Sequence, residues 1–209
     1  MKLYIYEHCP FSARVRYVAG MLNIPLDIII LDYDDDKTPT DIIGSKQVPI
    51  LVKDNGYTLS ESLDIIHHFL ELADSTETHL PSEQILNWQR LAFLPLQKVG
   101  YPRWSNMGLI EFVNESAQKA WRAKKETEAL NFDTLIADTP SIAKEVESLI
   151  LQAGKVLNLP SDNQINLVDQ AIMFSILRGF FSTEEIQWDE TVKEWMESAS
   201  QKTNVMLLK

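Results

Sequence analysis

The stretch Leu3-Tyr4-Ile5-Tyr6-Glu7-His8-Cys9-Pro10-Phe11-Ser12-Ala13-Arg14-Val15 decides how this chain folds. Residues 3–6 carry β-branched and aromatic side chains and read as a short strand. Residues 10–22 have helical spacing, with Val15, Val18, Ala19 and Leu22 on one face. Pro10 suits the first helical position, where its fixed φ and missing N–H cost nothing. Asn23 and Pro25 close that helix. Residues 26–31 are an almost continuous apolar run, as expected of a strand buried on both faces. Two strands joined by one helix predict a βαβ unit with a parallel pair. Residues 32–41 then read as an acidic loop with a Thr-Pro-Thr turn, and 50–52 as a third strand. Asp54-Asn55-Gly56 is a hairpin turn that returns 57–59 antiparallel. Residues 60–73 read as a helix with Leu63, Ile66, Leu70 and Ala73 on one stripe.

The rest of the chain has a different character. Residues 1–74 make the α/β domain, 75–82 a polar linker, and 83–209 an all-helical domain. Helices are expected near 83–99, 107–128, 140–157, 167–180 and 189–200. Thr139-Pro140 places a cap before a first-position proline. Asn166-Leu167-Val168-Asp169 resembles a capping box, with an acidic N3 residue able to reach back to the N-cap amide. The helix that follows is apolar on most sides, which predicts the centre of the second domain.

Composition excludes several function classes. The 209 residues include one cysteine, Cys9, and 19 Lys+Arg against 30 Asp+Glu, a formal net charge of −11. One cysteine forms no intramolecular disulfide and no Cys-based metal site within a chain. The acidic balance argues against nucleic-acid partners, whose affinity comes largely from Lys and Arg. No run approaches the ~20 apolar residues of a membrane span. The first residues lack the apolar region of a signal peptide. The expectation is a cytoplasmic protein that needs no metal and binds no membrane.

Three sets of residues could carry chemistry. Cys9 reads either as a small buried hydrophobe or as a nucleophile. Its place between a strand and Pro10 puts the sulfur at a helix N-cap, beside unpaired N–H groups and the positive end of the helix dipole. That setting is expected to lower the thiol pKa. Arg14 and Arg16 add positive potential or simply solvate the surface. His8 reads as a turn residue or a modest electrostatic helper. Val48-Pro49 starts a strand; a cis bond there would turn the Val48 N–H and C=O toward a peptide-like ligand. Glu61-Ser62 begins a helix, either as an ordinary start with Ser60 as N-cap and first-turn acids, or as a site for an α-carboxylate and α-amine. His67 and His68 are adjacent and point about 100° apart on a helix, so they form no ligand pair. The five tryptophans read mainly as packing residues, and Trp104, in a Gly100–Trp104 loop, is the one placed to line a cleft.

Together, Cys9-Pro10-Phe11-Ser12, Gln47-Val48-Pro49-Ile50 and Glu61-Ser62 resemble a glutaredoxin of the thioredoxin-like fold. The helical second domain resembles that of the two-domain, glutathione-transferase-like type-2 bacterial glutaredoxins. The resemblance implies a thioredoxin-like domain followed by an all-α, transferase-like domain, in a monomer. It implies glutathione as co-substrate: γ-glutamyl end at Glu61 and Ser62, cysteinyl backbone on Val48 beside cis-Pro49, sulfur at Cys9, with Pro10, Phe11 and Gln47 as further contacts. Ser12 and Arg14 would help the thiolate. The partners implied are glutathionylated proteins or small disulfides.

The family's second motif cysteine is replaced by Ser12, whether naturally or by engineering. This leaves only a monothiol cycle through Cys9. Two other readings use the same site: a thiol-type glutathione transferase or dehydroascorbate reductase, and a non-catalytic glutathione-binding module. A cluster carrier fits less well, because Pro10 stands where cluster-carrying monothiol glutaredoxins have glycine.

Overall fold

A computed structural model describes residues 1–76, 80–161 and 165–209. Residues 77–79 of the expected linker lie outside the described residues. The chain opens with β1 (Lys2–Ile5), α1 (Pro10–Met21), β2 (Asp27–Ile30), α2 (Lys37–Ile43), β3 (Ile50–Val52), β4 (Thr58–Leu59) and α3 (Ser62–Leu72). The strands form one sheet ordered β2-β1-β3-β4. β1 runs parallel to β2, with Leu3 beside Ile28, and antiparallel to β3, with Leu3 beside Leu51. β4 returns on β3 through a turn in which Gly56 has φ of 84°. A side chain there would be strained, so glycine fits. This is the expected thioredoxin-like α/β domain.

Three local expectations are corrected. The 32–41 segment is only partly loop, because α2 takes in the Thr-Pro-Thr residues. Pro39 falls in its first turn, where no N–H is required, and Asp35 accepts the Thr38 N–H at 2.9 Å. β2 is not buried on both faces: it is an edge strand, and its Asp27 and Ile28 are exposed. On α3 the buried face is Ile65, Ile66, Phe69 and Leu70, and Glu61 rather than Ser60 is the N-cap.

The second part contains α4 (Glu83–Trp104), a 3₁₀ turn (Ile110–Phe112), α5 (Glu115–Lys125), α6 (Phe132–Ala137), α7 (Thr139–Val156), α8 (Leu167–Phe180) and α9 (Glu190–Thr203). The expected 107–128 helix is broken, with Asn114 extended as the N-cap of α5. α6 was not anticipated. Residues 100–104 belong to α4 and are not a loop. Asp138, not Thr139, is the N-cap of α7. Thr139 instead donates to the Ile136 carbonyl at 2.7 Å and accepts from Arg103 at 2.6 Å. Every residue of α8 is buried. Its cap Asn166 accepts the Asp169 N–H at 2.9 Å, and the Asp169 carboxylate accepts the Ser82 N–H at 2.8 Å. That exchange ties the starts of α4 and α8 together. Among the described residues no helix is long and apolar enough to cross a membrane.

The two parts meet along α1, which packs on α8 and α9 as well as on α3. The approach to α9 is close: a Cβ on Gly20 would stand 2.6 Å from the Thr203 backbone. At the head of α1, the Glu7 carboxylate is held between Arg16 and Arg178, each at 2.7 Å. Arg178 also donates to the Glu7 carbonyl at 2.6 Å and to the Met206 carbonyl. One guanidinium in the centre of the helical domain therefore fixes the residue two positions before Cys9.

Candidate functional site

Cys9 is the N-cap of α1, with φ −69° and ψ 121°, and Pro10 follows in the first turn. Its N–H donates to the Tyr6 carbonyl at 3.2 Å, and its carbonyl accepts the Ala13 N–H at 3.0 Å. The sulfur thus starts at the positive end of the helix, as the sequence predicts. It is also buried, at 8% exposure. Burial pushes the Cys9 thiol up; the Ser12 N–H and hydroxyl, the Phe11 N–H and the Arg14 guanidinium pull it down without overcoming that. The expectation of a lowered thiol pKa is corrected: desolvation outweighs the helix end. The Ser12 hydroxyl is buried and makes no hydrogen bond of good geometry, so its influence on the sulfur is weak.

Neither arginine of α1 is a solvated surface arm. Burial draws the Arg14 guanidinium down to about 10. It donates to Gln89 of α4 at 2.9 Å and lies 4.7 Å from the centre of the Phe11 ring. Arg16 pairs with Glu7, as described. His8 is a turn residue after β1, as expected, and it is buried. Its N–H and its Nδ1 both meet Glu111 Oε1 at 2.8 Å. Burial pulls the His8 imidazole down despite Glu111. Burial alone would raise the Glu111 carboxyl, but its bonds to His8 hold it below the usual range. A neutral His8 donating from Nδ1 to an ionised Glu111 satisfies both directions.

Two adjoining depressions share Phe11, Gln47 and Val48. One, of about 250 Å³, is completed by Pro49, Ser60, Glu61 and Ser62. The other, of about 200 Å³, is entered beside Cys9 and Pro10 and runs between the domains. The Val48–Pro49 bond is cis. The Val48 N–H and C=O take part in no backbone hydrogen bond of the sheet or turns among the described residues, so both are free to pair with an extended ligand. Gln47 donates to the Ser60 carbonyl at 3.1 Å and to Glu61 at 3.3 Å, joining the two sides of the trough. Ser62 is buried at the first position of α3, while Glu61 is exposed. Of the ten residues that the resemblance assigns to the glutathione site and its helpers, eight line these two adjoining depressions. Ser12 and Arg14 lie behind it.

The interdomain end holds residues that the sequence did not single out: Tyr6, Tyr33, Tyr101, Trp121 and the lysines 46, 124 and 125. Trp104 joins them from the last turn of α4. Its indole donates to Ser182 at 2.9 Å and leaves no room for a side chain at Gly100, where a Cβ would be 2.1 Å away. Trp104 was the one residue of this end that the sequence placed at a cleft, and the adjacent Lys124 and Lys125, close after Trp121 in an acidic chain, were a second local trace. Among the described residues no group of three or more His, Cys, Asp or Glu is arranged to hold a metal ion.

Residues 84–209 match the family described as Glutaredoxin 2, C terminal domain, and residues 3–77 match Glutathione S-transferase, N-terminal domain. The chain belongs to the glutaredoxin 2 family. It is 33% identical to Glutaredoxin 2 of Escherichia coli (strain K12), covering 100% of this chain and 98% of that one. The crystal structure of Glutaredoxin 2 from Salmonella typhimurium, in complex with glutathione, superposes with a TM-score of 0.91 at 31% identity, over 99% and 96% of the two chains. A glutathione S-transferase of Ceriporiopsis subvermispora, 14% identical with a TM-score of 0.72 over 98% of each chain, shares the fold.

Proposed function

We propose that this protein is a glutathione-dependent thiol–disulfide oxidoreductase that works through Cys9 alone. The observation that carries the reading is the single thiol at the head of α1, opening on a trough whose middle is the unpaired Val48 backbone at a cis proline. Family membership and the relative crystallised with glutathione support the same reading. Glutathione would lie along the trough with its γ-glutamyl carboxylate at the start of α3, against the Ser62 hydroxyl and N–H groups. Glu61 takes the ammonium, Val48 pairs with the cysteinyl backbone, and Pro10, Phe11 and Gln47 wall the middle. The Cys9 thiolate attacks the glutathionyl sulfur of a mixed disulfide; the Cys9–S bond forms and the other thiol leaves as thiolate. A second glutathione thiolate then attacks the Cys9 sulfur, releasing glutathione disulfide. Ser12 and Arg14 favour the thiolate from behind. Burial raises the Cys9 pKa, so the thiolate is a small fraction at neutral pH, offset in part by the greater intrinsic nucleophilicity of a thiolate of higher pKa.

The protein acts in this reading as a cytoplasmic monomer, with 1–74 as the glutathione-binding domain, 75–82 as linker and 83–209 as the helical domain. Cys9→Ser should abolish turnover of a small glutathione mixed disulfide in the presence of glutathione. Retained turnover would end the assignment. The aromatic cavity beside Cys9 favours one second reading, transfer of reducing equivalents to small acceptors such as dehydroascorbate. Comparing rates on dehydroascorbate and on a glutathionylated peptide separates the two.

A further inference from the structure

Three guanidiniums stand at the head of α1, and they are not partnered alike. Arg16 and Arg178 share the Glu7 carboxylate, each at 2.7 Å. Arg14 is 3% exposed and makes no ion pair with a carboxylate among the described residues. Its Nη2 donates to Gln89 Oε1 at 2.9 Å, and its Nε is buried without a hydrogen-bond partner. Gln89 is half-buried on α4, across the domain boundary, and lines neither depression of the trough.

A charge taken out of water is costly unless an anion pairs with it. A bridge between α1 and α4 that served stability alone would carry glutamate at 89, whose carboxylate can accept from Nη2 and Nε together. Position 89 instead carries the neutral amide of the same length. The other buried carboxylate, Glu111, is turned to His8. With His8 neutral and Cys9 a thiol, three guanidinium charges meet only two carboxylates around this helix end. The anion this set can still gain is the Cys9 thiolate, the one charge that acts on Arg14. From the other elements, Arg178 of α8, Lys125 of α5, Tyr6 after β1 and Tyr101 of α4 also face Cys9. Arg178 is taken up by Glu7, Lys125 stands over the Tyr101 and Trp121 rings, and burial keeps both phenols neutral.

We propose that Gln89 is a positioning residue for Cys9: its neutral amide holds the Arg14 guanidinium behind the sulfur and leaves the guanidinium charge unpaired for the thiolate. The proposal rests on the reading of Cys9 as the nucleophile given above. It adds a residue of the helical domain that acts only through Arg14. Stability is given up at this contact, because a buried cation goes without its carboxylate, and reactivity is gained at the thiol. When Cys9 ionises, its proton passes to solvent and the charges around the helix end balance.

Gln89→Glu tests this, because it drives stability and reactivity in opposite directions. The carboxylate keeps the acceptor and neutralises Arg14. The urea midpoint of unfolding should hold or rise, while the pH midpoint of Cys9 alkylation by iodoacetamide should move up by about one unit, the effect of one nearby charge. At about pH 7 the alkylation rate should fall about threefold: the thiolate fraction drops about tenfold, partly offset by the greater nucleophilicity of a more basic thiolate. Gln89→Met removes the acceptor without adding charge. It should lower the urea midpoint and raise the alkylation midpoint, and in an Arg14→Met background it should move the alkylation midpoint no further. An alkylation midpoint that Gln89→Glu leaves in place, or that Gln89→Met moves equally with and without Arg14, would overturn the proposal. A lowered urea midpoint in Gln89→Glu would make Gln89 a packing residue and overturn it too. Turnover of the mixed disulfide of glutathione and 2-mercaptoethanol judges the reading of Cys9 separately. If the native protein does not turn it over while Gln89→Glu still shifts alkylation, the catalytic reading falls and the coupling of Gln89 to Cys9 stands.

Discussion

Replacing Glu111 with alanine removes an acceptor that is 0% exposed and receives two hydrogen bonds of 2.8 Å from His8, its N–H and its Nδ1. A buried donor left without an acceptor costs about 1–3 kcal/mol. The His8 ring escapes part of this by moving its proton to Nε2, but the backbone N–H has no such choice. Against this, Glu111 Oε2 is itself buried and unpartnered, so the variant is relieved of one poorly solvated charge. The expected net loss for Glu111→Ala is about 2–3 kcal/mol. Glu111→Gln keeps a neutral acceptor and loses only the charge assistance, so about 1 kcal/mol is expected. Urea unfolding followed by tryptophan fluorescence reads both, because the His8 ring centre lies 4.7 Å from that of Trp121 and 5.3 Å from that of Trp104. The rate of Cys9 alkylation should rise in the alanine variant as the preceding residue is released. An alanine variant within about 0.5 kcal/mol of the native protein, the range of ordinary surface substitutions, would refute the clamp.

Other expectations follow from the same geometry. Burial lifts the Cys9 thiol, so alkylation by iodoacetamide should accelerate with rising pH around a midpoint above about 8.5, the ordinary thiol value. Ser12→Ala removes a downward influence and should move the midpoint further up; a midpoint near or below about 7 contradicts the dominance of burial. Gly100→Ala would put a Cβ 2.1 Å from the Trp104 ring, displacing the indole and costing about 1–3 kcal/mol; an unchanged emission spectrum and unfolding midpoint would count against it. His8 and Glu111 both have folded-state pKa values below their unfolded ones. As pH falls the unfolded chain takes up these protons first, so their contribution is complete above about 6.5 and declines below it, first through His8 and then through Glu111. Denaturation midpoints at about pH 7.5 and 5.5 check this, and a His8→Gln variant with undiminished acid sensitivity between about pH 5 and 7 would contradict the share given to His8.

What could be read along the chain was what obeys local rules. The strand before Cys9, the proline after it, the Asp54-Asn55-Gly56 turn and the capped helix from Asn166 all follow from spacing within a few residues. The Cys9, Val48, Pro49, Glu61 and Ser62 constellation became legible because each stands at the end of such an element. The clamps on the cysteine loop were not legible. Glu111 lies 103 residues from His8, and Arg178 lies 171 residues from Glu7; helical neighbour rules reach only three or four positions. The apolar run of β2 was misjudged because being an edge strand is a property of sheet order, not of composition. α6 spans six residues, too few to show a full apolar stripe. The charge of Arg14 was visible, but not its burial, which α4 imposes from across the domain boundary.

The grip of Arg178 also sets an order of events during synthesis. Glu7 is made 171 residues before Arg178, and its backbone and carboxylate are fastened by that guanidinium, which in turn donates to the Met206 carbonyl. While the chain is still growing, Arg16 is the only one of the two arginines available to Glu7. The residues leading into Cys9 therefore wait, loosely held, until α8 and the segment that reaches Met206 have emerged. Because Glu7 is tied to Arg178 and, through it, to the Met206 carbonyl, a chain cut before Arg178 carries the cysteine without this part of its assembled cleft.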